Sequence, residues 1–163
     1  MLLLTVMKKI AIFIILSLVC LSAFGQDYVN PSYRQCFSFE VESGYADNGG
    51  YFDISSGCNV IHGLYVGLGG GYERHDFDGK LHTMVPAFIQ ARYSFLDKVV
   101  SPFFDFKVGV LTDFSDQAVG HFFRPAIGVE YRHLGVKVGY DWAQIENSGF
   151  SDDMCTIGVF YRF

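Results

Sequence analysis

From residue 34 to the C-terminus, apolar residues take every second position and polar or small residues the positions between, and clusters of turn formers break the pattern into runs. A period of two is the signature of strands with one apolar face. Eight runs can be counted, at 34–45, 51–61, 64–74, 82–95, 102–112, 121–132, 135–145 and 154–163. Nothing in this region repeats at 3.6 residues. The pattern therefore predicts an all-β domain, an eight-stranded antiparallel up-and-down β-barrel.

The apolar face of each run is easily read. Phe37, Phe39 and Val41 are followed by Phe52, Ile54, Cys58 and Val60, then by Leu64, Val66, Leu68 and Tyr72, and so on to Ile157, Val159, Tyr161 and Phe163. The opposite face carries the acids Glu40, Glu42, Asp53, Glu73, Asp105, Glu130 and Asp141 and the bases Arg92, Lys107, Arg124, Arg132, Lys137 and Arg162, with glycines such as Gly67, Gly69, Gly128 and Gly158 among them. Alternation alone leaves open which face points inward, because a soluble barrel is apolar within. The glycines decide it: a crowded lumen needs small residues beside its charges, and a solvated outer surface does not. Aromatic residues also gather at the run ends, Tyr45, Tyr72, Trp142 and Phe150 at one and Tyr93, Phe95, Tyr131, Tyr161 and Phe163 at the other. Two such girdles match the interfaces of a transmembrane barrel.

The connections alternate in kind. Those at 61–63, 96–101 and 133–134 are brief, as periplasmic turns should be. Those at 46–50, 75–81, 113–120 and 146–153 hold Asp47, Asp76, Asp78, Asp113, Asp116, Glu146, Asp152 and Asp153, an expected acidic outer rim. Pro86 and Pro125 lie near that rim and cannot donate a ladder hydrogen bond.

Ahead of the barrel, Lys8 and Lys9 precede an apolar run from Ile10 to Leu21 and then Ala23-Phe24-Gly25. This is the layout of a secretory signal. Residues 1–25 are read as that signal, with Met7 as an alternative start, 26–33 as a short periplasmic tail and 34–163 as the barrel. Without Lys8 and Lys9 the chain keeps ten basic and 17 acidic residues, a net charge of −7. Nucleic-acid binding rests on neutralising phosphates, so that class is excluded. After the signal three cysteines remain. Parity puts Cys36 on the lumen face and Cys58 on the other, and Cys155 is far from Cys36, so none is expected to pair.

Several segments carry a family likeness: Val85-Pro86-Ala87-Phe88 with Arg92-Tyr93, Pro102-Phe103-Phe104-Asp105 with Val108-Gly109, and Pro125-Ala126-Ile127-Gly128-Val129. With the closing strand Thr156-Ile157-Gly158-Val159-Phe160-Tyr161-Arg162-Phe163, the chain resembles the small OmpA/OmpX-like outer-membrane β-barrels, often labelled the porin family. The resemblance implies a monomer in the bacterial outer membrane, surrounded by lipid and lipopolysaccharide. It also implies that Tyr161 and Phe163 form the C-terminal signal read by the barrel assembly machinery. No wall-binding domain of the full-length OmpA kind is expected after Phe163. The resemblance specifies architecture more than activity.

The strongest constellation is the lumen set itself. Eight strands enclose a space only wide enough for side chains to fill, so near-balanced charge there should form a salt-bridged plug rather than an ion path. The expected role is structural or surface interaction, with a narrow channel as the alternative and a lipid A-modifying enzyme third. For that enzyme His82, His121 and Ser115 are the candidates, in no recognisable spacing. His75, Asp76 and Asp78 form no defined metal site, and no cofactor is expected.

Overall fold

The computed structural model describes residues 37–46, 49–77, 80–115, 118–145 and 150–163. The expected signal and tail, Cys36, and the rim residues Asp47, Asp78, Asp116 and Glu146 lie outside them. The strands are β1 (Ser38–Ala46), β2 (Gly49–Ile61), β3 (Leu64–Phe77), β4 (Lys80–Ser94), β5 (Val100–Asp113), β6 (Ala118–Tyr131), β7 (Leu134–Ile145) and β8 (Phe150–Arg162). Each pairs antiparallel with its neighbours in sequence, and β1 pairs with β8 from Glu40↔Arg162 to Ala46↔Thr156, which closes the barrel. The amide of Phe163 donates to the carbonyl of Phe39 at 2.8 Å, and that of Phe39 donates back at 3.3 Å. Closure removes the unpaired edges that an open sheet would expose.

The outward face is apolar through the middle of every strand. Leu68, Ile89, Val138 and Ile157 are each more than half exposed, and so are Tyr45, Tyr131 and Phe163 in the two girdles. At the end opposite the chain terminus, here the loop end, that face turns polar: Tyr72 gives way to Arg74 and Asp76, Trp142 to Gln144, and Cys155 to Asp153, all outward and exposed. The strands thus run on past the apolar belt, because a ladder needs only backbone partners and not an apolar face. This corrects the expected rim in part. Asp76, Asp113 and Asp153 are strand residues, and Asp113 is buried.

Two of the three barrel prolines leave a mark. Pairing of β3 with β4 lapses between Gly70↔Ala87 and Glu73↔Met84, around Pro86, and that of β6 with β7 lapses between Phe123↔Trp142 and Ala126↔Gly139, around Pro125. A residue without an N–H cannot hold a rung.

A second correction concerns Arg132. Alternation carries β6 through it and into the lumen, yet β6 ends at Tyr131 and Arg132-His133 form a two-residue turn to Leu134. There Arg132 has φ 57°, is exposed, and lays its guanidinium 5.5 Å from the ring centroid of Tyr131. A tight hairpin demands positive φ somewhere in its turn, and that demand overrides the strand period.

Inside, bulky rings lie against glycines of other strands. A methyl group added at Gly135 would stand 2.2 Å from the ring of Phe160, and one at Gly158 would stand 2.3 Å from the Tyr51 hydroxyl. The ring of Phe160 packs edge-on against Phe103 at 5.4 Å and carries Arg92 at 3.9 Å from its centroid. Gly135→Ala is therefore expected to destabilise the folded barrel by about 1–3 kcal/mol, the usual cost of overpacking. A lowered midpoint for urea unfolding in detergent micelles checks this, and an unchanged midpoint contradicts it.

Candidate functional site

The charged residues of the lumen form one connected chain running from the turn end to the loop end. At the turn end the Ser94 hydroxyl donates to Glu130 Oε1 at 3.0 Å, and Arg162 Nη1 stands 3.7 Å from Glu130 Oε2. Glu40 is next. It takes Arg92 in a two-pronged pair (Nη1 to Oε2 2.5 Å, Nη2 to Oε1 2.7 Å) and Arg162 Nη2 at 3.2 Å. Matched forks of this kind are the stronger class of ion pair. The Gln90 amide links Glu40 (3.2 Å) to Asp105 (2.9 Å), while its oxygen accepts from the Ser55 hydroxyl at 2.8 Å.

Asp105 accepts from Arg92 Nε at 3.3 Å and from Lys137 Nζ at 2.5 Å. Lys137 also reaches Glu42 at 2.7 Å, and Glu42 accepts from Lys107 at 2.9 Å and from the Tyr51 hydroxyl at 2.9 Å. Lys107 continues to Asp53 at 2.6 Å. Arg124 then gathers three carboxylates, Asp53 at 3.4 Å, Glu73 at 2.6 Å and Asp141, which takes Nε at 2.8 Å and Nη2 more closely still. His75 Nε2 lies 3.4 Å from Glu73 Oε2 at the loop end.

All eight strands contribute, and every residue of the chain is at most 4% exposed. The arrangement follows from parity. Two-residue spacing puts Glu40 and Glu42 of β1, Asp105 and Lys107 of β5, and Lys137 and Asp141 of β7 on the same inner face. Of the thirteen charges read from the sequence, twelve meet here, Asp53 among them, and Arg132 does not. That leaves seven acids against five bases.

Sequence reasoning missed the second component. Tyr51, Tyr65, Phe88, Phe103, Phe122 and Phe160 are also buried inside. Arg92 lies 3.9 Å from the ring centroid of Phe160 and 4.7 Å from that of Phe103, Arg124 lies 4.8 Å from Tyr51, Arg162 5.1 Å from Tyr65, and Lys107 4.6 Å from Phe88. Ring faces carry negative charge density and bind cations. The signal was present: Tyr51-x-Asp53, Phe103-x-Asp105, Phe122-x-Arg124 and Phe160-x-Arg162 share the parity of a charge. Toward the loop end Met84, Phe88, Leu111, Phe122 and Ala143 form an apolar cluster within the lumen.

Of the residues weighed for catalysis, His82 and Ser115 meet at Asp113 and His121 stands apart. His82 Nδ1 is 2.7 Å from Asp113 Oδ2, and the Ser115 amide donates to Asp113 Oδ1 at 2.7 Å. The Ser115 hydroxyl accepts from the Thr83 amide at 3.1 Å and donates to the Leu81 carbonyl at 3.4 Å. His121 points outward, its ring 6.2 Å from that of Trp142. Cys58 and Cys155 are free and exposed on the outward face. Among the described residues no group of three or more His, Cys, Asp or Glu could hold a metal ion.

No family model and no curated protein matches this chain. Solved structures do. Neisserial surface protein A superposes with a TM-score of 0.57 at 14% identity, covering 78% of this chain and 97% of that one. The N-terminal β-barrel domain of Pseudomonas aeruginosa OprF gives 0.49 at 14% identity, covering 78% and 96%, and Ail, the attachment invasion locus protein of Yersinia pestis, gives 0.46 at 10%, covering 78% and 95%. The first of these likenesses is one of fold. The chain has the closed eight-stranded architecture of the small OmpA/OmpX-like outer-membrane barrels.

Truncation of a network member and of Arg132 should give opposite results. Arg92→Ala takes from Glu40 its forked partner and from Asp105 one of its two cations, in a buried network, and is expected to cost about 3–5 kcal/mol. Arg132→Gly removes a positive φ from a residue that dislikes it and should leave stability unchanged or raise it. Urea titrations of both variants in one detergent check the pair, and equal midpoints would remove the distinction.

Proposed function

We propose that this protein is a monomeric barrel of the bacterial outer membrane, with a structural or surface-interaction role and a lumen closed to ions. One observation carries the reading: a continuous network of paired charges and stacked rings fills the barrel from Glu130 to Glu73, with an apolar cluster beyond it. A conducting pore needs its polar groups turned toward water, whereas these are turned toward one another. The exposed belt supports membrane embedding. An apolar outer surface on this scale is costly in water, at roughly 25 cal/mol for each Å².

On this reading the loop end, opposite the start of β1 and the close of β8, is the exterior. Lipid and lipopolysaccharide then surround the belt, and Tyr161 and Phe163, exposed on the closing strand, are the residues for the assembly machinery to read. A role at the cell surface is consistent with the fold shared with a protein named for the surface of Neisseria.

The contact between His82 and Asp113 keeps a lipid-modifying enzyme as the second reading. Against it, the Ser115 hydroxyl is directed at the Leu81 carbonyl.

The purified barrel should run faster on an unheated gel than on a boiled one and should add no steps of conductance to a planar lipid bilayer. Discrete openings from the folded band would replace this reading with the narrow channel. Lipid A from cells with the gene, without it, and with Ser115→Ala should have one acylation pattern by mass spectrometry. Loss or gain of a chain only with the intact gene would establish the enzyme.

A further inference from the structure

The surplus of acid in the lumen has a location. At the turn end three carboxylates, Glu130, Glu40 and Asp105, meet three permanent cations, Arg162, Arg92 and Lys137. At the loop end four carboxylates, Glu42, Asp53, Glu73 and Asp141, meet two, Lys107 and Arg124, with Lys137 shared across the boundary through Glu42. An imidazolium at His75, beside Glu73, would offset one of the two surplus charges and leave the other.

Hydrogen bonding shows the same shortage without any counting of charges. Glu42 engages both oxygens, Oε1 with Tyr51 and Oε2 with Lys107, and so does Glu73, Oε1 with Arg124 and Oε2 with His75. Asp53 and Asp141 engage one each. In both, Oδ2 accepts from the cations while Oδ1 is buried with no hydrogen-bond partner. A buried carboxylate that lacks partners for its charge is costly, and taking up a proton removes the charge. An inorganic cation would do the same, but the Arg124 guanidinium already binds Asp53, Glu73 and Asp141 together, and no group among the described residues could hold a metal ion.

The two aspartates are not equivalent. Asp53 has Lys107 at 2.6 Å in addition to Arg124. Asp141 has Arg124 alone and shares it with two other acids. The rest of its surroundings bring no further permanent cation. From β3 it meets Glu73 and His75, and from β8 its cross-strand partner is Met154. Across the lumen, Glu42 of β1 and Asp53 of β2 hold Lys107 of β5, while His82 of β4 is engaged with Asp113. The next inward residue along β7 is Ala143 of the apolar cluster.

We propose that Asp141 is a proton-binding site: in the folded barrel near neutral pH its Oδ1 carries a hydrogen while Oδ2 accepts from Arg124. Folding then takes up one proton from solvent at this position, because an aspartate in the unfolded chain is ionised above about pH 5. The sign follows from that difference. The contribution of Asp141 to stability is full in acid and is lost as pH rises, until the folded acid gives up its proton and the loop-end half of the plug gains an unmatched negative charge.

Asp141→Asn tests this with little change of shape, since the amide keeps a carbonyl for Arg124 and puts its NH2 where the acid has its O–H. The ratio of unfolding constants, wild type to Asp141→Asn, from urea titrations in detergent micelles should rise about tenfold per pH unit between about pH 6 and pH 8. The infrared spectrum of the folded wild type near neutral pH should contain the carbonyl stretch of a protonated carboxyl. That band should vanish in Asp141→Asn and persist in Asp53→Asn.

No such band in the folded wild type, a band that vanishes in Asp53→Asn instead, or a ratio independent of pH would each overturn the proposal. A wild-type stability that falls when sodium and potassium are replaced by tetramethylammonium would assign the surplus charge to an inorganic cation and overturn it as well. Should Asp141→Asn give no folded band on the gel, the wild-type infrared band and its persistence in Asp53→Asn decide.

Discussion

Closing a sheet after eight strands fixes how much room there is inside, and most of this structure answers to that one constraint. The lumen is too narrow for bulk water and too polar to be an ordinary core. Every inward side chain must find its partners among the other seven strands. Glu40 shows how tightly this binds: on β1 it meets Arg92 of β4 and Arg162 of β8, and through Gln90 it is tied to Asp105 of β5. The closing seam of β1 with β8 is also the rung on which Glu40 and Arg162 are direct partners. Closure and charge pairing are therefore one event.

The same narrowness explains the rings and the glycines. A buried guanidinium has more donors and more surface than carboxylates alone can cover, and Phe103 and Phe160 occupy what remains around Arg92. Rings of that size fit only if a neighbour has no side chain, so Gly135 lies against Phe160 and Gly158 against the Tyr51 hydroxyl. Carboxylate, cation, ring and glycine form a repeating set. Removal of one member leaves the others unmatched, and for that reason the network resembles a packed core in its sensitivity although it is built from polar groups.

Much of this was legible in the chain. Strand number, closure order, outward face and twelve of the thirteen lumen charges follow from period 2, because a strand's parity is set by covalent geometry rather than by its neighbours. What escaped depends on contacts between strands. Arg132 keeps the parity of a lumen residue, yet the hairpin takes it for a turn. Asp113 reads as a loop acid but is buried beside His82, since β5 continues past the apolar belt. Phe88, Phe103 and Phe160 read as generic aromatics, and only the register shows that they lie on cations. Pairing partners fifty or more residues apart, such as Arg92 with Glu40, leave no trace in local sequence.

The distribution of polarity along the barrel also bears on where such a molecule could be recognised. At the loop end the described surface belongs mainly to the strands themselves. Above the belt they present Arg74, Asp76, Gln144 and Asp153, a narrow collar of mixed charge. Within the belt they present a nearly uniform apolar wall, broken where Pro125 and Cys155 let the surface sink. With the lumen filled by its own side chains, the outward side of the strands is the largest described surface of the barrel.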